Sequence, residues 1–222
     1  MNSKLLWYAR SSGLVAWFLL AAAVVWGLAI STKALGARPR PAWLLDLHRF
    51  LGAAAVVFSG IHVASIVLET YVHFGLVEVL VPFTGTWHPV AVAWGIAGVY
   101  LLVAIEITSL LRTRLPQRTW RATHYLSFPL FALTTIHGLS AGTDRHTALM
   151  RVAVFTATAA VVGLTALRVA DTERQDVTRP APARPRAGAR SWRYVQPYMS
   201  PQNEVDVTDF STVRLKWSRR PS

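Results

Sequence analysis

The chain contains no cysteine. Disulfides, thiolate metal sites, iron–sulfur clusters and the C-x-x-C-H attachment of c-type haem are all excluded by that one absence. Charge is scarce too. Of 222 residues only 15% are Asp, Glu, Lys or Arg, and the acidic ones are the rarer, 11 against 23 basic. The scarcity is uneven: positions 13–32, 50–68, 79–105, 122–143 and 152–167 hold no charged residue, whereas charges crowd the stretch beyond position 170. A soluble domain needs a charged surface, and the first 170 positions offer little to build one from. With 53% hydrophobic residues and a mean hydropathy of +0.35, the composition is that of a membrane protein with a polar, basic tail.

The net charge of +12 invites a nucleic-acid reading. A nucleic-acid binder gathers its arginines on one face of a soluble fold. Here they sit between apolar spans and in the tail, as topology signals and contacts with anionic lipid headgroups do. No nucleic-acid partner is expected.

A spanning helix needs about 20 apolar residues. Five segments meet or approach this length: Gly13–Ser31, Leu47–Leu68, Val90–Leu111, Ala122–Leu139 and Ala148–Ala170. The fold expected is an all-α integral membrane bundle of about five transmembrane helices over residues 1–170. The first span exceeds the usual apolar core of a signal peptide and has no A-x-A site after it, so it reads as retained. The apolar segment Val72–Phe83 is too short to cross and ends near Pro82, which suggests a loop lying at the interface or folded back. Lys33, Arg38 and Arg40 follow span one, and Arg112, Arg114, Arg118 and Arg121 follow span three, while the Glu69–His88 connection has no Lys or Arg. The positive-inside rule then places the N-terminus outside and the tail in the cytoplasm, in a cell membrane.

From Asp171 the character changes. Residues 171–190, with the run RPAPARPRAGAR, read as a disordered Pro/Ala/Arg linker. Residues 191–222 carry Trp192, Tyr194, Tyr198, Phe210 and Trp217 and read as a largely disordered cytoplasmic tail, too short to fold alone. No G-x-G-x-x-G is present, so no flavin or nicotinamide site is expected within this chain.

Ionisable side chains inside a membrane are costly and usually functional. Span two carries His48 and His62, fourteen apart; span four carries His124 and His137, thirteen apart. At 1.5 Å per residue each separation is roughly 20 Å along the helix axis. The two spans run in the same direction. His48 and His124 therefore share a depth near the cytoplasmic surface, and His62 and His137 share one near the outer surface. This suits two flat cofactors stacked across the bilayer, each clamped by two imidazoles, and b-type haem iron with two axial positions is the natural candidate. His48 and His124 would ligate the cytoplasmic-side iron, His62 and His137 the outer-side iron. The angles ask for one adjustment. Fourteen residues return to within about 40° of the starting face, but thirteen end about 140° away. Pro129, lying between His124 and His137, is expected to re-phase the helix.

Gly52, one turn after His48, would let a macrocycle approach the backbone, although small residues serve plain helix contacts equally well. Arg49 and Arg121 are placed either to pair with haem propionates or to anchor the helix ends. Glu106 is the lone acid inside a span, suited to accept a hydrogen bond, relay protons or snorkel. His73, His88 and His146 fall in outer connections, as metal or substrate contacts or as ordinary surface histidines.

Two motifs carry a resemblance. One is His48-Arg49-Phe50-Leu51-Gly52 with His62 beyond it; the other is Trp120-Arg121-Ala122-Thr123-His124-Tyr125-Leu126-Ser127-Phe128-Pro129 with His137 beyond it. Together and in order they resemble the ferric-reductase-like transmembrane domain family, over about residues 10–170. This looks like a minimal haem-core member, similar to the haem subunit of the methionine-sulfoxide repair system. The resemblance implies that the four histidines ligate haem b and that electrons cross the membrane through it. The flavin and nicotinamide domains of the larger members are absent, and many members have six spans. Electrons would then come from a separate flavoprotein or from quinol and leave to ferric iron, oxygen or a partner protein, with no catalytic residue assigned. The rival reading is a non-redox membrane assembly or scaffolding subunit whose tail recruits a partner.

Overall fold

The long charge-free runs form helices because lipid offers no partner for a backbone N–H or C=O, so each crossing segment must satisfy its own. A computed structural model describes residues 3–32, 41–69 and 75–178. Its elements, in order, are α1 (Ser3–Ser31), α2 (Ala42–Leu68), the short α3 (Leu76–Leu80), α4 (Pro89–Leu110), α5 (Gln117–Tyr125), α6 (Ser127–Ala141), a 3₁₀ turn (Thr143–His146) and α7 (Ala148–Thr178). Among the described residues there is no strand. Four helices are long and apolar enough to cross a membrane: α1, α2, α4 and α7. This is a multi-pass, all-α membrane protein.

The expected fourth span is where sequence and structure differ in detail. It is not one helix. α5 is strongly amphipathic and mostly exposed, and α6 alone is apolar. The break falls at Leu126, whose φ of −64° and ψ of −8° tighten the turn so that its N–H reaches Thr123 O at 3.0 Å. Pro129 is the cause, though the break is not at Pro129 itself. A proline ring collides with the carbonyl four residues earlier, here Tyr125, the last residue of α5. In the first turn of α6 the missing Pro129 N–H would have had no partner in any case.

The Val72–Phe83 segment is described from position 75 on and contains α3, with Phe83 in the left-handed region at φ 68°. α7 runs through Thr178, so residues 171–178 of the expected linker are helical; its remainder and the 191–222 tail lie outside the described residues.

Inside lipid there is no hydrophobic force between helices, and close packing of small residues does more of the work. α1 is the central element. It lies along α2 for much of its length and also touches α6 and α7, while α4 packs along α6. One core cluster joins Trp17, Ala21, Val24 and Leu28 of α1 to Phe131 of α6 and Met150 and Val161 of α7. A second joins Leu20, Ala55, Leu102, Ile105 and Leu130, with Ala55 of α2 wholly buried. The Trp17 indole N–H donates to Thr135 Oγ1 at 3.0 Å, and the Thr135 hydroxyl in turn donates to Phe131 O at 2.7 Å. Trp26 donates to Leu44 O at 2.9 Å, tying the far end of α1 to the start of α2. By contrast α2 and the α5–α6 limb scarcely meet along their backbones. What spans the gap between them is histidine.

Candidate functional site

His48 and His124 face each other with ring centroids 5.9 Å apart and planes crossed at 71°. His62 and His137 do the same at 6.3 Å and 76°. Each α2 histidine thus lies beside one histidine of the α5–α6 limb, His48 beside His124 of α5 and His62 beside His137 of α6, on either side of the break at Leu126. Along α2 the two pairs are about 21 Å apart, at 1.5 Å per residue.

The rings are held by backbone. His62 Nδ1 donates to Ala9 O at 2.7 Å, His48 Nδ1 to Ala23 O at 3.1 Å, and His137 Nδ1 to Ala91 O at 2.8 Å. A carbonyl can only accept, so in each case Nδ1 carries the proton and Nε2 is left as a free lone pair.

These three bonds share one cause. In a helix the carbonyl of residue i is screened by the side chain of residue i+4, and here that residue is Gly13, Gly27 or Gly95. A Cβ on Gly13 would come within 2.8 Å of His62 Nδ1, one on Gly95 within 2.8 Å of His137 Nδ1, and one on Gly27 within 3.0 Å of His48 Cε1. Each imidazole lies in the notch that a missing side chain leaves and caps the carbonyl exposed there. The sequence reading missed these glycines. A signal was present, since Gly13 and Gly27 are fourteen apart on α1, matching His48 and His62 on the antiparallel α2.

His124 is different. Its Nδ1 is buried without a hydrogen-bond partner among the described residues. Its ring stacks on Trp120 at 5.2 Å and 22°, and the Arg112 guanidinium lies 4.6 Å over the Trp120 ring.

The other residues singled out from the sequence fall as follows. Arg49 is exposed and pairs with Asp46 at 3.3 Å; Arg121 is exposed on α5. Gly52 faces α4, and a Cβ there would strike the Glu106 carboxylate. Glu106 is thus lodged against α2, one turn deeper than His48. His88 is exposed, in the left-handed region at φ 42°, with its ring edge-on to Trp87 at 4.6 Å. His146 accepts from Arg145 Nε at 2.9 Å; His73 lies outside the described residues. At the His62 end Arg10, next to the Ala9 that holds His62, forms a two-pronged ion pair with Asp144 of the 3₁₀ turn. The Arg10 hydrogen bonds hold the Asp144 carboxyl below the usual carboxylate range.

Among the described residues no three His, Asp or Glu side chains converge as ligands for a bare ion. The donor set is two imidazoles per site, which matches a metal whose remaining positions come from a macrocycle. The spacing fits as well. Metal–imidazole nitrogen bonds are about 2.0–2.1 Å and the ring centroid lies about 1.1 Å farther, so two rings on opposite sides of one metal have centroids about 6.4 Å apart.

Comparison with known proteins adds one match. The family model described as "Ferric reductase like transmembrane component" aligns with residues 10–135, which is more than half of the chain and ends just before His137. No curated protein and no solved structure matches.

Proposed function

The chain belongs to the ferric-reductase-like transmembrane component family, and from that premise we propose that it carries electrons across the membrane through two b-type haems, one clamped by His48 and His124 and one by His62 and His137. The observation that carries this reading is the pair of centroid separations, 5.9 and 6.3 Å, each close to the span of two axial imidazoles on a single iron.

Haem supplies one-electron chemistry at its iron when bound. The chain's own residues do the rest. His48, His62 and His137 offer Nε2 while Nδ1–H is fixed to Ala23, Ala9 and Ala91 carbonyls, which sets the tautomer and the ring orientation before any metal arrives. With two histidines holding each haem, no position would remain open at the iron, which would favour electron transfer over binding of dioxygen. Arg49 and Arg121 lie at the His48–His124 end, where they suit propionate carboxylates. Gly52, beside Glu106, keeps α2 and α4 close at the same level. Leu20 of α1, Ala55 of α2 and Leu102 of α4 pack in one apolar cluster midway along α2 between the two pairs, which would keep water from that stretch.

The orientation that best accommodates the arginines of α5 and its preceding loop puts the His48–His124 end at the cytoplasmic face, with anionic lipid headgroups beside it. A separate flavoprotein or quinol would deliver electrons there. An acceptor on the outer face would take them from the His62–His137 end.

A visible spectrum of the purified protein, expressed with ample haem, tests the reading. A sharp b-type α band on dithionite reduction, with two haems per chain, is expected. A colourless protein would refute it.

A further inference from the structure

The four histidines are not seated alike, and the difference falls on one of the two pairs. Both members of the His62–His137 pair rest in glycine notches and donate Nδ1–H to a helix carbonyl, at 2.7 and 2.8 Å. In the other pair only His48 does so, at 3.1 Å. His124 has no carbonyl. Its Nδ1 is buried with no acceptor among the described residues, and Trp120 covers one face of the ring with the Arg112 guanidinium beyond it.

An acceptor on the far nitrogen of a metal-bound imidazole pushes electron density toward the metal and favours its oxidised state. Where no acceptor is present the imidazole is a poorer donor, and a nearby cation further favours the added electron. The remaining charges near the two pairs do not reverse this. Arg10 and Asp144 neutralise each other at the His62 end, as do Arg49 and Asp46 at the His48 end. Glu106 stands against Gly52 of α2, one turn from His48, and so bears on the His48 side of the pair, whereas Trp120 and Arg112 bear on His124.

We propose that the haem held by His48 and His124 has the higher reduction potential of the two, and that Trp120 and Arg112 are positioning residues which set it by acting through His124. This rests on the haem reading above. It gives the two sites different work. Electrons arriving from the cytoplasmic donor collect at the His48–His124 site, and the next transfer outward is the uphill one. Removal of the electron by the outer acceptor drives that transfer, and an inside-negative membrane potential assists it.

Potentiometric titration of the haem-replete protein, followed in the visible and by electron paramagnetic resonance, tests this. Two waves are expected. A His62→Ala variant should keep the higher wave and a His48→Ala variant the lower. Arg112→Gln and Trp120→Leu should each lower the higher wave and leave the other in place, and Arg112→Lys should largely restore it. Arg112 is exposed, so its variants keep the inference testable even where a histidine variant fails to fold. A single wave with both haems bound would overturn the inference, and so would a reversed assignment or an Arg112→Gln effect confined to the lower wave. Each of these leaves the haem reading standing; only a protein without haem removes both.

Discussion

Gly13 lies directly beneath His62: the methyl that the glycine lacks would come within 2.8 Å of the imidazole Nδ1. The same relation joins Gly27 to His48 farther along the same two helices. Because α1 and α2 are antiparallel and both spacings are fourteen, a single helix–helix register seats both histidines at once. α1 is therefore as much a part of the site as α2, although it contributes no ligand.

Alanine at the notches is the direct check. Gly13→Ala or Gly95→Ala should push His62 or His137 off its carbonyl and cost the protein the haem of that pair, read as a fall from two haems per chain to one. Gly27→Ala should be milder, since its closest approach is 3.0 Å, to a ring carbon. Gly60→Ala is the control. Nothing lies within 4 Å of its would-be Cβ, and replacing a mid-helix glycine there should stabilise the helix by about 0.5–1 kcal/mol with both haems kept.

Pairing across the gap makes a second expectation. His62→Ala and His137→Ala should each remove the same haem, and the double variant should lose no more than either single one. Haem content by absorbance decides this; two independent losses would break the pairing of α2 with α6.

Pro129→Ala restores an N–H and removes the clash with the Tyr125 carbonyl. The helix can then run on through Leu126, which turns His124 about 140° away from the face of His137. The haem of the His48–His124 pair should be lost or weakened while the other remains. A Pro129→Ala, His62→Ala double variant should then be nearly colourless.

The Arg10–Asp144 ion pair has a defined pH window. Asp144 titrates lower in the folded protein than the ordinary value of about 3.9, because Arg10 favours its charged form. Its contribution to stability is complete above that ordinary value and is lost as pH falls through the lower, folded one. At neutral pH Asp144→Asn should melt below the parent in a thermal denaturation scan. The two should converge in strong acid, and also in high salt, since the pair is near the surface and screened.

The Trp17–Thr135 hydrogen bond locks α1 to α6 within the core. Thr135→Val keeps the shape and strands the indole N–H, at a cost of about 1–3 kcal/mol. Equilibrium unfolding in detergent measures it.

The sequence alone determined that this chain crosses a membrane, roughly where, and which four side chains the crossings isolate. Those properties follow from composition and from helical rise, and both are local. It also located the trouble in the fourth span, because thirteen residues do not return to the same helix face and a proline intervenes. The structure then placed the break at Leu126, next to the Tyr125 carbonyl that lies four residues before Pro129, and showed α5 and α6 as separate helices on either side of it. Only the tertiary structure revealed the notches at Gly13, Gly27 and Gly95. A glycine's missing side chain becomes a seat when another helix brings a ring to it, and that register is set by packing between segments far apart in the chain. The inequality of His124 belongs to the same class. Trp120 lies one turn before His124 on α5, so their stacking is local to that helix, but the placing of the Arg112 guanidinium over Trp120 depends on how α5 returns past the end of α4.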